Sequence, residues 1–344
     1  MIRTVIVGYG LAGQSFHAPL IRRQGRMEIR GFVARDAGRR AEAVAGWGGV
    51  GYSSLEGALA DSEVDLIVLA TPHDVHASQV IQTLEAGKDC VVDKVMALSE
   101  AEADAMIEAR DRSGRMLSVF HNRRWDWDFS TVRGVLASGR LGRPFLVESS
   151  VCRYAPPRTW RGRAAEAGTI LHDWGAHLVD QALHLGLGRF ERLRATLTPA
   201  PWPGVDIGGH GRIVLEGAGT LVQLETSRIC RLDRPRWWVL GPNGGLVKDG
   251  LDPQEAALRE GNLDAASEAD DRRARVRDES GESVVETIRS SWDAYYANIA
   301  AHLIDGEPLA VTAEHGREVV RVLDAAVRSA AEDRAVEGPW GWPD

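Results

Sequence analysis

The first part of the chain alternates short apolar runs with longer amphipathic segments. The runs are too short for helices and rich in β-branched residues, so each predicts a strand buried on both faces of a sheet. They cover residues 4–7, 28–34, 64–70, 89–92 and 117–120. The segments between them carry helical periodicity, and Ser99 and Gly114 are typical end residues for a helix over 100–113. This order predicts a parallel, doubly wound α/β sheet that ends near residue 121.

A different pattern begins near residue 122. Successive alternating segments without intervening helices predict strands over residues 144–152, 192–197, 211–216, 219–227 and 236–240. Such an order is typical of a large, mostly antiparallel sheet in a second domain. Helices are predicted over residues 129–138, 173–185, 292–303 and 313–331, and a mobile loop or hairpin over the charge-dense residues 262–285. The predicted domains are residues 1–121 and 122–344, with C-terminal helices that can pack back on the first domain.

Composition excludes several classes of function. The 344-residue chain has a net charge of −8 and a pI near 5.7, whereas a nucleic-acid-binding protein needs a basic face. No apolar run approaches the roughly 18 residues of a membrane span, and the chain enters its first strand at once, so we expect neither a membrane segment nor a signal peptide. Three widely spaced cysteines form neither a disulfide framework nor a zinc pattern, which favours a cytoplasmic protein.

A glycine-rich turn follows the first predicted strand. Gly8, Gly10 and Gly13 have the spacing G-x-G-x-x-G, with Leu11 and Ala12 between the last two. Between a strand and a helix, the first glycine permits a tight turn, the second lets the backbone approach a pyrophosphate, and the third allows close helix–strand packing. The N–H groups at the helix start favour phosphate. These five residues therefore predict a dinucleotide site; the alternative is an ordinary strand–turn–helix corner.

Arg35 follows the second predicted strand, where a dinucleotide fold meets the adenine ribose. An acidic residue at this place binds the 2′-hydroxyl of NAD, whereas an arginine accommodates the 2′-phosphate of NADP. Arg39 and Arg40 lie one turn later, and Asp36 is one residue late and is predicted to cap the next helix. NADP is therefore the predicted cofactor and NAD the less favoured one; a solvated basic helix start is the structural alternative.

Two further strand ends carry polar side chains. Thr71, Pro72 and His76 follow the third strand, and Asp93 and Lys94 follow the fourth. Because ligands of open α/β sheets bind at the carboxyl ends of the strands, all five are candidates for the cofactor site. Lys94 can hold a hydroxyl or stabilise a developing alkoxide through its ammonium charge. His76 is equally typical of a structural residue in the first turn of a helix.

Asp173 and His177 lie four residues apart on the predicted helix 173–185. The same face carries Asp180, Gln181 and His184. A neutral histidine can take a hydroxyl proton near neutral pH, which makes His177 a candidate acid/base. Asp173 can orient the imidazole, hold a substrate hydroxyl or pair with Lys94; an ordinary surface pair on a helix is the alternative. His172 and Asp173 face apart on a helix, so no metal site is predicted.

Taken together, these motifs resemble those of the Gfo/Idh/MocA oxidoreductase family over essentially the whole chain. The resemblance rests on the ordered set of Gly8–Gly13, Thr71-Pro72 with His76, Asp93-Lys94, and Asp173 with His177. Segments 9–17, 118–126 and 173–181 are most similar to those of the NADP-dependent scyllo-inositol dehydrogenases in this family. The resemblance implies a Rossmann domain followed by an α/β domain whose open sheet commonly forms the oligomer interface, so we expect a homodimer or a homotetramer.

The resemblance also assigns catalytic roles. Lys94 matches the lysine of the family's Glu-Lys-Pro motif, and Asp173 and His177 match its aspartate and histidine, the histidine being the usual acid/base. These three are the predicted catalytic residues. Asp93 and Val95 replace the glutamate and the proline of the motif. Because that proline shapes the backbone that presents the lysine, often through a cis peptide, its absence predicts a different position of Lys94 or a remodelled loop.

Other matched positions imply contacts with the cofactor or the substrate. Asn122 falls on a segment near the nicotinamide in such enzymes and is expected to bind the cofactor. The residues expected to bind substrate are Arg123, Trp125, Tyr154, Trp160, Asp173 and His177, with Arg161 beside Trp160.

The predicted function is hydride transfer between NADP and a secondary hydroxyl of an inositol-like polyol or a sugar. One alternative keeps the fold and reduces a keto-sugar in a biosynthetic or catabolic pathway. Another is a nucleotide-binding sensor without turnover, for which Val95 is the direct support. Lys94, Asp173 and His177 favour an enzyme, because a pure binding module needs none of them.

Overall fold

The computed structural model describes residues 1–342, which form a six-stranded and a nine-stranded sheet. In chain order the strands are β1 (Ile2–Val7), β2 (Met27–Val33), β3 (Val50–Tyr52), β4 (Leu66–Leu69), β5 (Asp89–Asp93), β6 (Leu117–Phe120), β7 (Leu146–Cys152), β8 (Phe190–Thr198), β9 (His210–Gly217), β10 (Thr220–Ser227), β11 (Trp237–Gly241), β12 (Gly244–Lys248), β13 (Arg275–Asp278), β14 (Gly281–Val284) and β15 (Val336–Trp340).

The α-helices are α1 (Ala18–Arg22), α2 (Ala37–Trp47), α3 (Leu55–Leu59), α4 (His76–Glu85), α5 (Glu100–Ser113), α6 (Trp127–Ala137), α7 (Ala164–Ala167), α8 (Ala176–Leu183), α9 (Gln254–Arg259), α10 (Asp293–Asp305) and α11 (Ala313–Glu332). Short 3₁₀ turns cover His73–Val75, Asn122–Trp125, Thr159–Gly162, Leu263–Ala265 and Asp270–Arg272. Within residues 1–342, none of the helices has the length and apolar character that crossing a membrane requires.

The first of two compact units comprises Met1–Asn122, Gln254–Ala266 and Ser291–Arg317. Its sheet has the order β3-β2-β1-β4-β5-β6, and all neighbouring strands are parallel. Every residue of β4 and β6 is buried, as the apolar runs predict. The predicted parallel, doubly wound sheet is therefore confirmed. The sequence pattern did not indicate β3, because this three-residue edge strand is largely exposed and has no apolar run.

The second unit comprises Arg123–Pro253, Ser267–Ser290 and the chain from Glu318 onward. Its sheet has the order β14-β13-β12-β11-β7-β10-β9-β8-β15. All neighbours are antiparallel except β7 and β10. The predicted large and mostly antiparallel sheet is therefore confirmed. The charge-dense segment supplies the β13–β14 hairpin at one edge of this sheet.

The division of the chain differs from a single boundary near residue 121. Gln254–Ala266 and Ser291–Arg317, which lie within the predicted domain 122–344, belong to the first unit. The apolar side of α10 gives the physical reason, because Tyr295 and Tyr296 are fully buried there. Their rings lie 4.9 and 5.8 Å from that of Phe120 at the end of β6.

Two segments that were predicted as α-helix begin with a wider turn. Gly13–His17 is a π-helical turn that leads into α1, and Leu171–Gly175 is a π-helical turn that leads into α8. The helix predicted over 173–185 therefore changes its hydrogen-bonding pattern at Ala176 and ends at Leu183. Such π turns occur frequently at functional sites, and both of these follow or contain predicted site residues.

Candidate cofactor site and active site

The glycine turn after β1 has three glycines with different packing. Gly8 has φ +100°, and a Cβ there would lie 2.5 Å from the Ala70 carbonyl oxygen. A Cβ on Gly13 would lie 2.0 Å from the Gly8 carbonyl oxygen. A Cβ on Gly10, in contrast, would meet no atom within 4 Å. Protein packing thus requires glycine at 8 and 13, whereas Gly10 leaves open space in front of the backbone, as close approach of a pyrophosphate needs.

A helical segment begins directly after Gly10. Helical conformation starts at Leu11, whose side chain is 42% exposed, and the Gln14 N–H donates to the Gly10 carbonyl at 2.9 Å. The N–H groups of a first helical turn lack intrahelical acceptors and carry the positive end of the helix dipole. Leu11, Ala12 and Gly13 therefore fit a bound diphosphate.

The basic and acidic residues that follow β2 make different contacts. Asp36 caps α2, since its Oδ1 accepts from the Arg39 N–H at 2.8 Å; the predicted N-cap is confirmed. Arg40 Nη1 donates to the Ala34 carbonyl oxygen at 2.7 Å. Arg35 is exposed beyond the end of the strand. The Asp36 carboxylate is thus used in the helix cap, and the contact of Arg35 with a cofactor stays a prediction.

His76 is fully buried and connects two strand ends. Its Nδ1 lies 2.8 Å from the Val95 carbonyl oxygen, and its Nε2 lies 3.0 Å from the Thr71 carbonyl oxygen. Burial lowers the pKa of His76, so the ring is neutral. The structure thus places His76 between the ends of β4 and β5, and its contact with the cofactor stays a prediction. Thr71 and Pro72 themselves are partly exposed.

Asp93 and Lys94 end β5 at the same edge of the sheet. Asp93 Oδ1 accepts from the Lys94 N–H at 2.8 Å, and both residues are partly exposed. The peptide between Lys94 and Val95 is cis, the geometry that the family's proline often takes. Burial opposes ionisation of Asp93, but His17, Lys94 and His76 outweigh burial and lower the pKa of Asp93 to about 2. Asp93 is therefore a carboxylate at neutral pH.

In the second unit, Asp173 is paired with an arginine that the sequence analysis did not identify. Arg228, which directly follows β10, donates from Nη2 to Asp173 Oδ2 at 2.6 Å and from Nη1 to the Ala155 carbonyl oxygen at 3.2 Å. Arg228 is buried. This ion pair fixes the Asp173 carboxylate within the π turn Leu171–Gly175. Arg228 was not among the partners predicted for Asp173, which were the imidazole, a substrate hydroxyl and Lys94.

His177 belongs to a cluster with two other side chains. Its ring lies 5.6 Å from that of Trp174, and the Arg123 guanidinium lies 4.1 Å above the Trp174 ring. His177 is 6% exposed. The structure thus brings together Arg123 and His177, two of the predicted substrate-binding residues, through a tryptophan between them.

Asp180 and Gln181, predicted on the same face as His177, are buried in a hydrogen-bonded network. Arg124 pairs with Asp180 at 2.7 Å, and Gln181 Nε2 donates to the Arg123 carbonyl oxygen at 2.8 Å. Arg236 donates to Gln181 Oε1 at 2.5 Å. These contacts fix α8 to the chain at residues 123–124, so both side chains position the site and do not line it. His184, which was also predicted on this face, packs against Trp342, with their ring centroids 4.7 Å apart.

The other predicted residues lie in separate surroundings. Tyr154 is 43% exposed and packs edge-on against Trp202 at 5.7 Å, with the Arg231 guanidinium 3.7 Å over its ring. The Arg161 guanidinium lies 4.5 Å over the ring of Trp160. The partly exposed Trp125 accepts a hydrogen bond on its carbonyl from Ser290 at 2.8 Å. Asn122 is buried just beyond β6. In the described part of the chain, no three His, Cys, Asp or Glu side chains converge as metal ligands.

The fold is that of a two-unit α/β protein whose first unit has the parallel, doubly wound sheet of a Rossmann domain. Residues 2–121 match the family model described as "Oxidoreductase family, NAD-binding Rossmann fold", and residues 129–247 match the "GFO/IDH/MocA C-terminal domain". The chain belongs to the Gfo/Idh/MocA family, as its motifs predicted.

Three relatives illustrate the similarity. The chain is 30% identical to scyllo-inositol 2-dehydrogenase (NADP(+)) IolW of Bacillus subtilis, over 97% of this chain and 95% of that protein. It is 34% identical to the uncharacterized oxidoreductase YdgJ of Escherichia coli, over 96% of each chain. Among solved structures, YvaA of Bacillus subtilis is 28% identical, with a TM-score of 0.90 over 98% of each chain.

Proposed function

We propose that this protein is an NADP-dependent dehydrogenase or reductase that acts on a secondary hydroxyl of an inositol-like polyol or a sugar. The observation that carries the proposal is the position of Lys94, which follows the Asp93 carboxylate at the edge of the sheet that also bears the open glycine turn. A cation at this edge can stabilise charge on the oxygen next to a hydride-transferring carbon, which supports the proposal. The similarity to the NADP-dependent relative IolW supports both the cofactor and the substrate class.

The roles of the residues follow from their chemistry. The nicotinamide, when bound, supplies the hydride acceptor or donor. Lys94 stabilises the negative charge that develops on the substrate oxygen, since an ammonium group is a compact point charge. His177 takes up or returns the hydroxyl proton, because an imidazole nitrogen can accept a proton and give it back. Asp173, held in place by Arg228, orients the substrate or the imidazole.

A panel of substrates in both directions tests the proposal. Purified protein is assayed for NADP⁺ reduction with inositol isomers and with pyranoses, and for NADPH oxidation with inosose and keto-sugars. Turnover of a polyol or a sugar by NADP(H) supports the proposal, and activity confined to keto-sugar reduction identifies the biosynthetic or catabolic reductase. NADPH binding without turnover of any member would favour the sensor and contradict the proposal.

Arg35→Ala is expected to weaken NADPH binding by about 10–100-fold, because a charge-assisted hydrogen bond to the 2′-phosphate is lost. NADH binding should change little, since NADH has no such phosphate. The measurement is a fluorescence titration with each nucleotide. Arg112→Ala is the matched control, since its side chain is 60% exposed on α5. NADH binding more tightly than NADPH to the unaltered protein would contradict the assignment.

We also propose a homodimer or homotetramer that forms through the open face of the nine-stranded sheet. Trp238 on β11 is 41% exposed and lies on the face of this sheet opposite the buried Trp237 and Val239, so it is a candidate contact in such an interface. Trp238→Asp is expected to shift the protein to monomers in sedimentation velocity at micromolar concentration. Phe145, which is 52% exposed just before β7, provides the control F145D. An unchanged sedimentation coefficient in Trp238→Asp would contradict this interface.

A further inference from the structure

His17 and Tyr296 form a buried hydrogen bond between distant parts of the sequence. His17 ends the π turn after the glycine motif, and its Nδ1 lies 2.7 Å from the Tyr296 hydroxyl on α10. Neither residue is exposed. The His17 ring lies 4.4 Å from that of Phe120, which also contacts Tyr296. A polar pair in such apolar surroundings is costly unless the hydrogen bond is well made, so its persistence needs a reason.

The other ring nitrogen faces the carboxylate next to Lys94. His17 Nε2 lies 3.9 Å from Asp93 Oδ2, which is too long for a hydrogen bond but close for a charge interaction away from water. The opposite oxygen, Asp93 Oδ1, accepts the Lys94 backbone N–H. One carboxylate thus connects His17 to the backbone that presents Lys94.

The surroundings indicate the direction of the hydrogen bond. Burial raises the pKa of Tyr296 well above its usual value, so the hydroxyl keeps its proton and can donate. If Tyr296 donates to Nδ1, a neutral His17 carries its proton on Nε2, where the N–H dipole points to Asp93. In the opposite arrangement, an Nε2 lone pair would face a carboxylate oxygen, which is repulsive. The titratable groups around this pair are Asp93, Lys94 and the buried His76.

We propose that Tyr296 and His17 are positioning residues, in which the Tyr296 hydroxyl fixes the Nε2–H tautomer of His17 and this N–H holds the Asp93 carboxylate beside Lys94. The inference rests on the proposed function in one respect: that function is the reason why the placement of Lys94 matters. The relay itself concerns the ordering of protons within the first unit. It explains why a tyrosine 279 residues away from His17 in sequence is buried against the start of the Rossmann fold.

The tautomer can be measured without turnover. The protein is labelled with ¹⁵N-histidine, and the His17 ring signals are assigned among the 10 histidines by their loss in His17→Gln. The expected state of the full-length protein is Nε2–H, and Tyr296→Phe should convert His17 to the other tautomer or to a mixture. Tyr295→Phe is the matched control, since this adjacent hydroxyl lies 2.8 Å from Ser118 Oγ. An Nδ1–H tautomer in the unaltered protein, or no change in Tyr296→Phe, would overturn the relay.

Titration of the Asp93 carboxyl supplies the second readout. Asp93 has a lowered pKa, so loss of the ordered His17 N–H should raise it. The carboxyl titration of Asp93, followed by ¹³C NMR, should then move to higher pH by about 0.5–1 unit in Tyr296→Phe and remain in place in Tyr295→Phe. A merely structural role would lower the melting temperature or kcat without moving this titration, which would overturn the relay. If the unaltered protein turns over no polyol or sugar, the proposed function fails, and the tautomer measurement still decides the relay.

Discussion

Alanine at Lys94 or at His177 is expected to lower kcat by about 10²–10⁴-fold, the usual contribution of a charge-stabilising or proton-transferring group. The dissociation constant of NADPH should remain nearly unchanged in both variants. In the proposed binding mode the glycine turn and Arg35 would provide the phosphate contacts, and neither depends on these two side chains. The measurements are steady-state kinetics with a substrate from the panel and a fluorescence titration with NADPH.

Two matched variants control for the loss of a lysine or a histidine. Lys88 lies just before β5, at the opposite end of the strand from Lys94, and its Nζ donates to the Asp61 and Val64 carbonyl oxygens. His302 is a partly exposed histidine on α10. Lys88→Ala and His302→Ala should retain kcat within about threefold, since surface substitutions usually have small effects. Near-normal rates in both Lys94→Ala and His177→Ala would contradict the assigned roles.

Local signals made much of the first unit predictable. Ser99 Oγ accepts from the Glu102 N–H at 3.3 Å, and Gly114 adopts φ +63°, so α5 begins and ends as its cap residues predict. The parallel strands follow from runs of apolar residues that are buried on both faces. The glycine motif was also predictable from local sequence. Glycine is required at 8 and 13 because of contacts within the first βαβ unit and with the strand beside it.

The features that the sequence did not predict depend on contacts between residues that are distant in sequence. Arg228 reaches Asp173 across 55 residues, and Tyr296 reaches His17 across 279. Neither partner carries a motif, so a single sequence offers no signal for the pairing. His76 illustrates the same limit: its position at a strand end indicated the cofactor site, but only the structure shows both ring nitrogens directed to backbone carbonyls.

Gly10→Ala is expected to weaken NADPH binding strongly while leaving the fold intact. A Cβ on Gly10 meets no protein atom within 4 Å, so the free energy of unfolding should change by less than about 1 kcal/mol. The added methyl group would occupy the space through which a pyrophosphate approaches the backbone, and we expect the affinity for NADPH to fall by at least about 10-fold. Fluorescence titration measures the affinity, and thermal unfolding measures the stability.

Two other glycines make the argument specific. A Cβ on Gly25 would also meet no atom within 4 Å, so Gly25→Ala should change neither stability nor NADPH affinity. Gly13→Ala places a Cβ 2.0 Å from the Gly8 carbonyl oxygen and should lower the free energy of unfolding by about 1–3 kcal/mol, as overpacking does. If Gly10→Ala loses NADPH affinity but keeps its full free energy of unfolding, the effect comes from the contact with the ligand and not from the fold. Unchanged NADPH affinity in this variant would mean that the phosphates do not lie against Gly10, and the glycine turn would then be only a structural corner.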